Sequence, residues 1–198
     1  MNEKFLGINR AFEKSVYLIE DSVKRIEEWE NDTEKLEEIL RSNHRGWEIF
    51  FKAFILLHNQ QYHKIHYLTE LITKMDELNL LPHIETQNLE KLFRREISFN
   101  YYEMLDNLFA DTNSRYAELN AIEGKISHFY VVDSWIKKYA WLKGMLDYNA
   151  IRSSLAEINN INLRYFAIYF TTSDPERRFF ASAFHNSYKY WNDKSLRD

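Results

Sequence analysis

Apolar side chains recur at every third or fourth position from the first turn of the chain. Phe5, Ile8, Phe12, Val16, Ile19, Val23 and Ile26 form one such stripe, and Glu13, Lys14, Glu20, Lys24, Glu27 and Glu28 fall mostly off it. This spacing predicts an amphipathic helix over about 3–30, and its near-heptad step predicts a partner helix lying along it. Asn31-Asp32-Thr33 breaks the run and offers caps to a second helix over about 33–58. Leu36, Ile39 and Leu40 open its apolar face, which continues as the bulky group Trp47, Phe50, Phe51, Phe54, Ile55 and Leu57. Gly46 lies inside that segment at a propensity cost of about 1 kcal/mol, which dense packing is expected to override.

A turn at 58–62 leads to a third helix faced by Ile65, Leu68, Leu71, Ile72, Met75 and Leu78 and ended by Leu81-Pro82. Leu89, Leu92, Phe93, Ile97, Tyr101, Met104, Leu105 and Leu108 predict a fourth over about 86–111. A fifth is expected over about 121–147, and a sixth begins near Ala150. Residues 162–170 are rich enough in aromatics and Ile to suit a strand, but a lone strand has no partner, so helix is preferred. Thr171-Thr172-Ser173-Asp174-Pro175-Glu176 supplies cap residues, a Pro for the first helical position and an acid for the positive end of the dipole. That predicts a last helix over about 175–191, with Phe180, Phe184, Tyr188 and Trp191 inward. The expected fold is all-α: an up-and-down bundle of about six to seven helices in a single domain, 1–198, without repeats or linkers.

Composition narrows the picture. Only 4 Gly and 2 Pro in 198 residues argue against a many-turned β fold, and 45% hydrophobic residues argue against disorder. Cysteine is absent, which removes disulfide frameworks and thiolate metal sites. No apolar run approaches the roughly 20 residues that cross a bilayer, and the N-terminus lacks an apolar signal core. No membrane association and a cytoplasmic location are the expectations. A net charge of −4 weighs against broad nucleic-acid binding but leaves room for a local basic patch. Arg94-Arg95, Lys137-Lys138 and Arg177-Arg178 lie beside aromatics and read first as solvated helix faces.

Common catalytic motifs are missing. There is no Gly-rich phosphate loop, GxSxG or HExxH, no Glu-x-x-His for a di-metal bundle and no dinucleotide-binding turn. No cofactor is expected. His63 and His66 share a helical face, but no third ligand completes a metal set nearby, so a capping or hydrogen-bonded histidine is the preferred reading and no metal is expected.

Three segments in order resemble the HEPN domain family. Glu48-Ile49-Phe50-Phe51-Lys52-Ala53 is similar to its E-x-x-hydrophobic-K-A helix, and Lys64-Ile65-His66-Tyr67-Leu68-Thr69-Glu70-Leu71 to its T-H-D-L helix start. Leu105 to Tyr116 resembles the stretch ending S-R-Y-P that closes the following helix. The resemblance covers roughly 35–120, leaving 121–198 as further C-terminal helices. The chain departs from the pattern at Tyr67, where the family has Asp, and at Ala117, where it has Pro.

The resemblance implies a helical protein of a bacterial toxin or phage-defence system, acting as a metal-independent endoribonuclease and forming a homodimer. Nuclease members resemble one another in an Arg and a His with four to six residues between them. Arg115 has no such His, whereas Arg178 and His185 have six residues between them. On an α-helix seven steps of about 100° return nearly to one face. His185 is then the base for a ribose 2′-hydroxyl and Arg178 the phosphate clamp. Arg177, Lys52, His66 and Arg115 are the accompanying candidates for RNA contact. The competing expectation is a non-catalytic helical module. It would bind a protein partner or a nucleotide through an aromatic groove supplied by Tyr101, Tyr102, Tyr130, Trp135, Tyr139 and Trp141.

Overall fold

A computed structural model describes residues 3–30, 33–61, 65–80, 96–109, 148–172 and 178–184. Five α-helices run through these residues: α1 Glu3–Glu27, α2 Thr33–Leu57, α3 Leu68–Glu77, α4 Glu96–Phe109 and α5 Tyr148–Thr172. A 3-10 helix follows at Phe179–Phe184. Among the described residues there is no strand, and the fold is all-α. Residues 162–170 are helical, as expected. The helix expected over 121–147 lies outside the described residues. No helix among those described is long and apolar enough to cross a membrane.

α1 and α2 pack antiparallel along their whole lengths. Lys4 bonds Asn59 at one end, Phe12 meets Phe50 edge-on at 5.1 Å, and Arg25 reaches Glu38 at the other end. The heptad-like stripe of α1 is buried from Ile8 to Ile26, as its spacing predicts. Gly46 faces α1 at close range. A Cβ there would lie 2.8 Å from Ile19 Cγ1 and 3.2 Å from the Ser15 carbonyl oxygen. The glycine thus permits the close approach of α1 and α2, at a propensity cost.

α5 runs parallel to α2, pairing Trp47 with Asn159, Phe50 with Phe166 and Phe54 with Phe170. α4 runs antiparallel to α2 on another side, with Tyr102 against Trp47 and Phe109 against His44. α2 is therefore the central helix, which accounts for the bulk of its side chains. Trp47, Phe50, Phe51 and Phe54 are all fully buried.

Two helix ends owe their form to asparagine. Asn59 and Asn79 have positive φ, 59° and 52°. Gln60 N–H bonds the Ile55 carbonyl and Asn59 N–H that of Leu56; Leu80 N–H bonds Met75 and Asn79 N–H bonds Asp76. Both are Schellman endings with Asn in the left-handed position. α3 therefore stops at Asn79, ahead of the Leu81-Pro82 signal. It also starts later than its apolar face suggests, at Leu68, with Tyr67 extended before it.

The last element departs from expectation. Over Phe179–Phe184 the chain is 3-10 rather than α-helical, winding about 120° per residue. Phe180 packs on Phe5, Phe12 and Phe170, and Phe184 on Phe50 and Phe170. Both rings are fully buried and share Phe170 as a neighbour. The seven-step α-helical phase between Arg178 and His185 does not carry through this segment.

Candidate functional site

A group of polar side chains on α2 forms because His44, Glu48 and Lys52 recur at intervals of four, one above another. Their stripe faces the turn before α3. His66, in that turn, donates from Nδ1 to Glu48 Oε1 at 2.8 Å, and Lys52 Nζ donates to the same oxygen at 2.5 Å. The Glu48 and Lys52 side chains are mostly buried, 18% and 15% exposed, while His66 is 43% exposed. Burial alone would raise the Glu48 carboxyl. The bonds from Lys52 and His66, with the nearby charge of Lys52 and the coupling to His44, outweigh it and hold the group below its ordinary value of 4.5. Glu48 is accordingly an anion at neutral pH.

An ionised carboxylate only accepts hydrogen bonds, so His66 Nδ1 carries the hydrogen. In the neutral ring Nε2 is then left with its lone pair, and it meets no hydrogen-bond partner among the described residues. The arrangement is that of an imidazole oriented by an acid, as used to prepare an acceptor for a hydroxyl.

Below this pair lies a second carboxylate, Asp106 of α4. It accepts from Leu68 N–H at 2.6 Å, Thr69 N–H at 2.9 Å, the Thr69 hydroxyl at 2.7 Å and His44 Nε2 at 3.3 Å. Tyr67, the residue before α3, makes no side-chain cap. Asp106 caps α3 from another helix, and its negative charge sits at the positive end of the α3 dipole. His66 is held to α2 and the next turn is held to α4, so two carboxylates fix the entry to α3.

Of the residues singled out from sequence, Lys52 and His66 come together on Glu48, although His66 and Glu48 are 18 positions apart. His66 is hydrogen-bonded to Glu48, and no group of three His, Cys, Asp or Glu among the described residues could hold a metal ion. Arg178 is exposed at the head of the 3-10 segment. That segment packs on the Phe50 side of α2, through Phe184. Phe50 lies two positions from Glu48, which is about 200° around the helix. The Glu48 cluster and the Phe179–Phe184 segment therefore occupy opposite sides of α2. His185, Arg177, Arg115 and His63 lie outside the described residues, as do Tyr130, Trp135, Tyr139 and Trp141. Tyr101 and Tyr102, expected as part of an aromatic groove, are buried to 0% and 1% exposure. Burial pushes both phenols well up.

Sequence reasoning passed over His44 and Asp106. The available signal was a charged or polar residue set beside an apolar stripe: Asp106 next to Leu105, and His44 three residues ahead of Trp47.

The geometry defines an all-α protein whose polar side chains converge on the entry to α3. No protein-family model matches the chain, and no curated protein or solved structure matches it either.

Proposed function

We propose that the chain is a HEPN-like helical protein and a metal-independent endoribonuclease, with Arg178 as phosphate clamp and His185 as base. The observation that carries this reading is the meeting of Glu48, Lys52 and His66 on one carboxylate oxygen. These residues come from two separate motifs of the family resemblance, and nothing in local helix chemistry requires the second to find the first. The exposure of Arg178 suits a cation that must reach a phosphate.

In the reaction His185 accepts the proton of the ribose 2′-hydroxyl, whose oxygen attacks the adjacent phosphorus. The bond to the 5′-oxygen breaks, and that oxygen leaves with a proton from solvent. The products are a 2′,3′-cyclic phosphate and a 5′-hydroxyl. Arg178 stabilises the charge gathered on the phosphorane, a contribution of about 10²-fold or more for a well-placed donor. Purified protein is expected to cut single-stranded RNA in EDTA, and His185→Ala to lower the rate by about 10²-fold or more. Undiminished cutting by His185→Ala removes that residue from the chemistry, and intact RNA in every condition removes the ribonuclease reading.

A further inference from the structure

The cleavage step proposed for Arg178 and His185 makes no use of the Glu48–His66 pair, which faces the other side of α2 from the Arg178 segment. The pair is more elaborate than packing demands. Glu48 and Lys52 satisfy each other at i,i+4, so His66 is not needed to neutralise the carboxylate. Its ring is nonetheless held by Nδ1, at 43% exposure, with the far nitrogen turned from its only described partner. The turn that carries it is pinned on both sides, at Glu48 and through the Leu68 and Thr69 amides at Asp106. Little rotational freedom remains to the acceptor, which lowers the entropy cost of a bond made to it.

We infer that His66 Nε2 is a reader of the ribose 2′-hydroxyl: it accepts a hydrogen bond from that group on a bound RNA strand, with Glu48 as the positioning residue. The inference rests on the ribonuclease reading for its ligand class. An oriented imidazole acceptor suits a hydroxyl donor, whereas a phosphate oxygen, itself an acceptor, does not bond a bare lone pair. The 2′-hydroxyl is the group that distinguishes RNA from DNA at a given site. The pair thus acts in choosing the strand and takes no part in breaking it.

The test compares short single-stranded oligonucleotides of one sequence as RNA, as DNA and as 2′-O-methyl RNA, by fluorescence anisotropy. The full chain carries His185→Ala so that the RNA stays whole. RNA is expected to bind about fivefold tighter than the other two, the worth of one ordinary hydrogen bond. Adding His66→Phe is expected to bring the three affinities together while leaving that for DNA unchanged; the DNA affinity reports that the fold persists. An RNA preference that survives His66→Phe overturns the inference and leaves the ribonuclease reading standing. RNA that is neither cut by the wild-type chain nor bound by His185→Ala overturns both. Nitrogen-15 imidazole spectra of the free protein give a readout that needs no ligand. The expected neutral form of His66 carries its hydrogen on Nδ1, and a hydrogen on Nε2 overturns the inference by itself.

Discussion

Gly46 shows how one missing side chain governs the approach of two helices. Alanine there would gain about 1 kcal/mol of helix propensity. Against that, its Cβ would stand 2.8 Å from Ile19 Cγ1, a buried atom near its own backbone, and 3.2 Å from a carbonyl oxygen that belongs to α1. Overpacking of this kind costs about 1–3 kcal/mol. The second effect is the larger, and Gly46→Ala is expected to lose about 1 kcal/mol net, read as a lower urea midpoint with an unchanged slope. A gain in stability would mean that α1 and α2 separate at little cost. Gly7, on the outer side of α1, has nothing within 4 Å of such a Cβ and serves as the contrasting position.

At the scale of the element, α3 is the helix whose form depends most on others. It has ten residues, near or below the length at which an isolated helix holds. Its first amides are satisfied by Asp106, and its last carbonyls by the Asn79 ending. Asp106→Asn keeps the shape but removes the charge at the dipole and replaces acceptor capacity with a donor. The expected cost is about 1–2 kcal/mol, and hydrogen exchange at Leu68 and Thr69 should quicken more than exchange in α1. Equal protection in both proteins would show that α3 needs no cap from α4. These features also mark where the sequence becomes hard to read. The Phe5–Ile26 stripe states which residues of α1 turn inward, because a helix repeats its own period. The end of α2 near 58 was legible, whereas the stop at Asn79 was available in residue type and was overshadowed by Pro82. The His44–Asp106 contact spans 62 positions, and no local rule announces it. The candidate site divides in the same way. Glu48–Lys52 is a local i,i+4 pair, His66 entered through the resemblance, and Asp106 became visible only once α4 lay against α2.

At the scale of the whole molecule, four helices share one buried polar ring. Asn43 donates to Ser22 Oγ at 2.6 Å and to Asn159 Oδ1 at 3.0 Å. The Tyr101 hydroxyl donates to Asn43 Oδ1 at 2.8 Å and accepts from Asn159 Nδ2 at 3.0 Å. Trp47 Nε1 closes the set on Asn159 Oδ1 at 2.8 Å. The residues come from α1, α2, α4 and α5, and all are buried. Asn159→Leu would keep the volume but strand the Trp47 N–H and one Asn43 N–H. At about 1–3 kcal/mol for each stranded donor, the loss is expected near 2–6 kcal/mol, measured by chemical denaturation. A change under about 0.5 kcal/mol, the ordinary surface range, would show that the ring contributes nothing.

Phenylalanines are poor at telling one neighbour from another, and a core made of them tolerates many arrangements of the same cylinders. Amides and hydroxyls do not. With α4 and α5 exchanged, or one slid by a turn, the donors and acceptors would be left facing hydrocarbon. The few polar atoms at the centre thus work as the address label of this bundle, rejecting near-miss assemblies that greasy packing alone would accept.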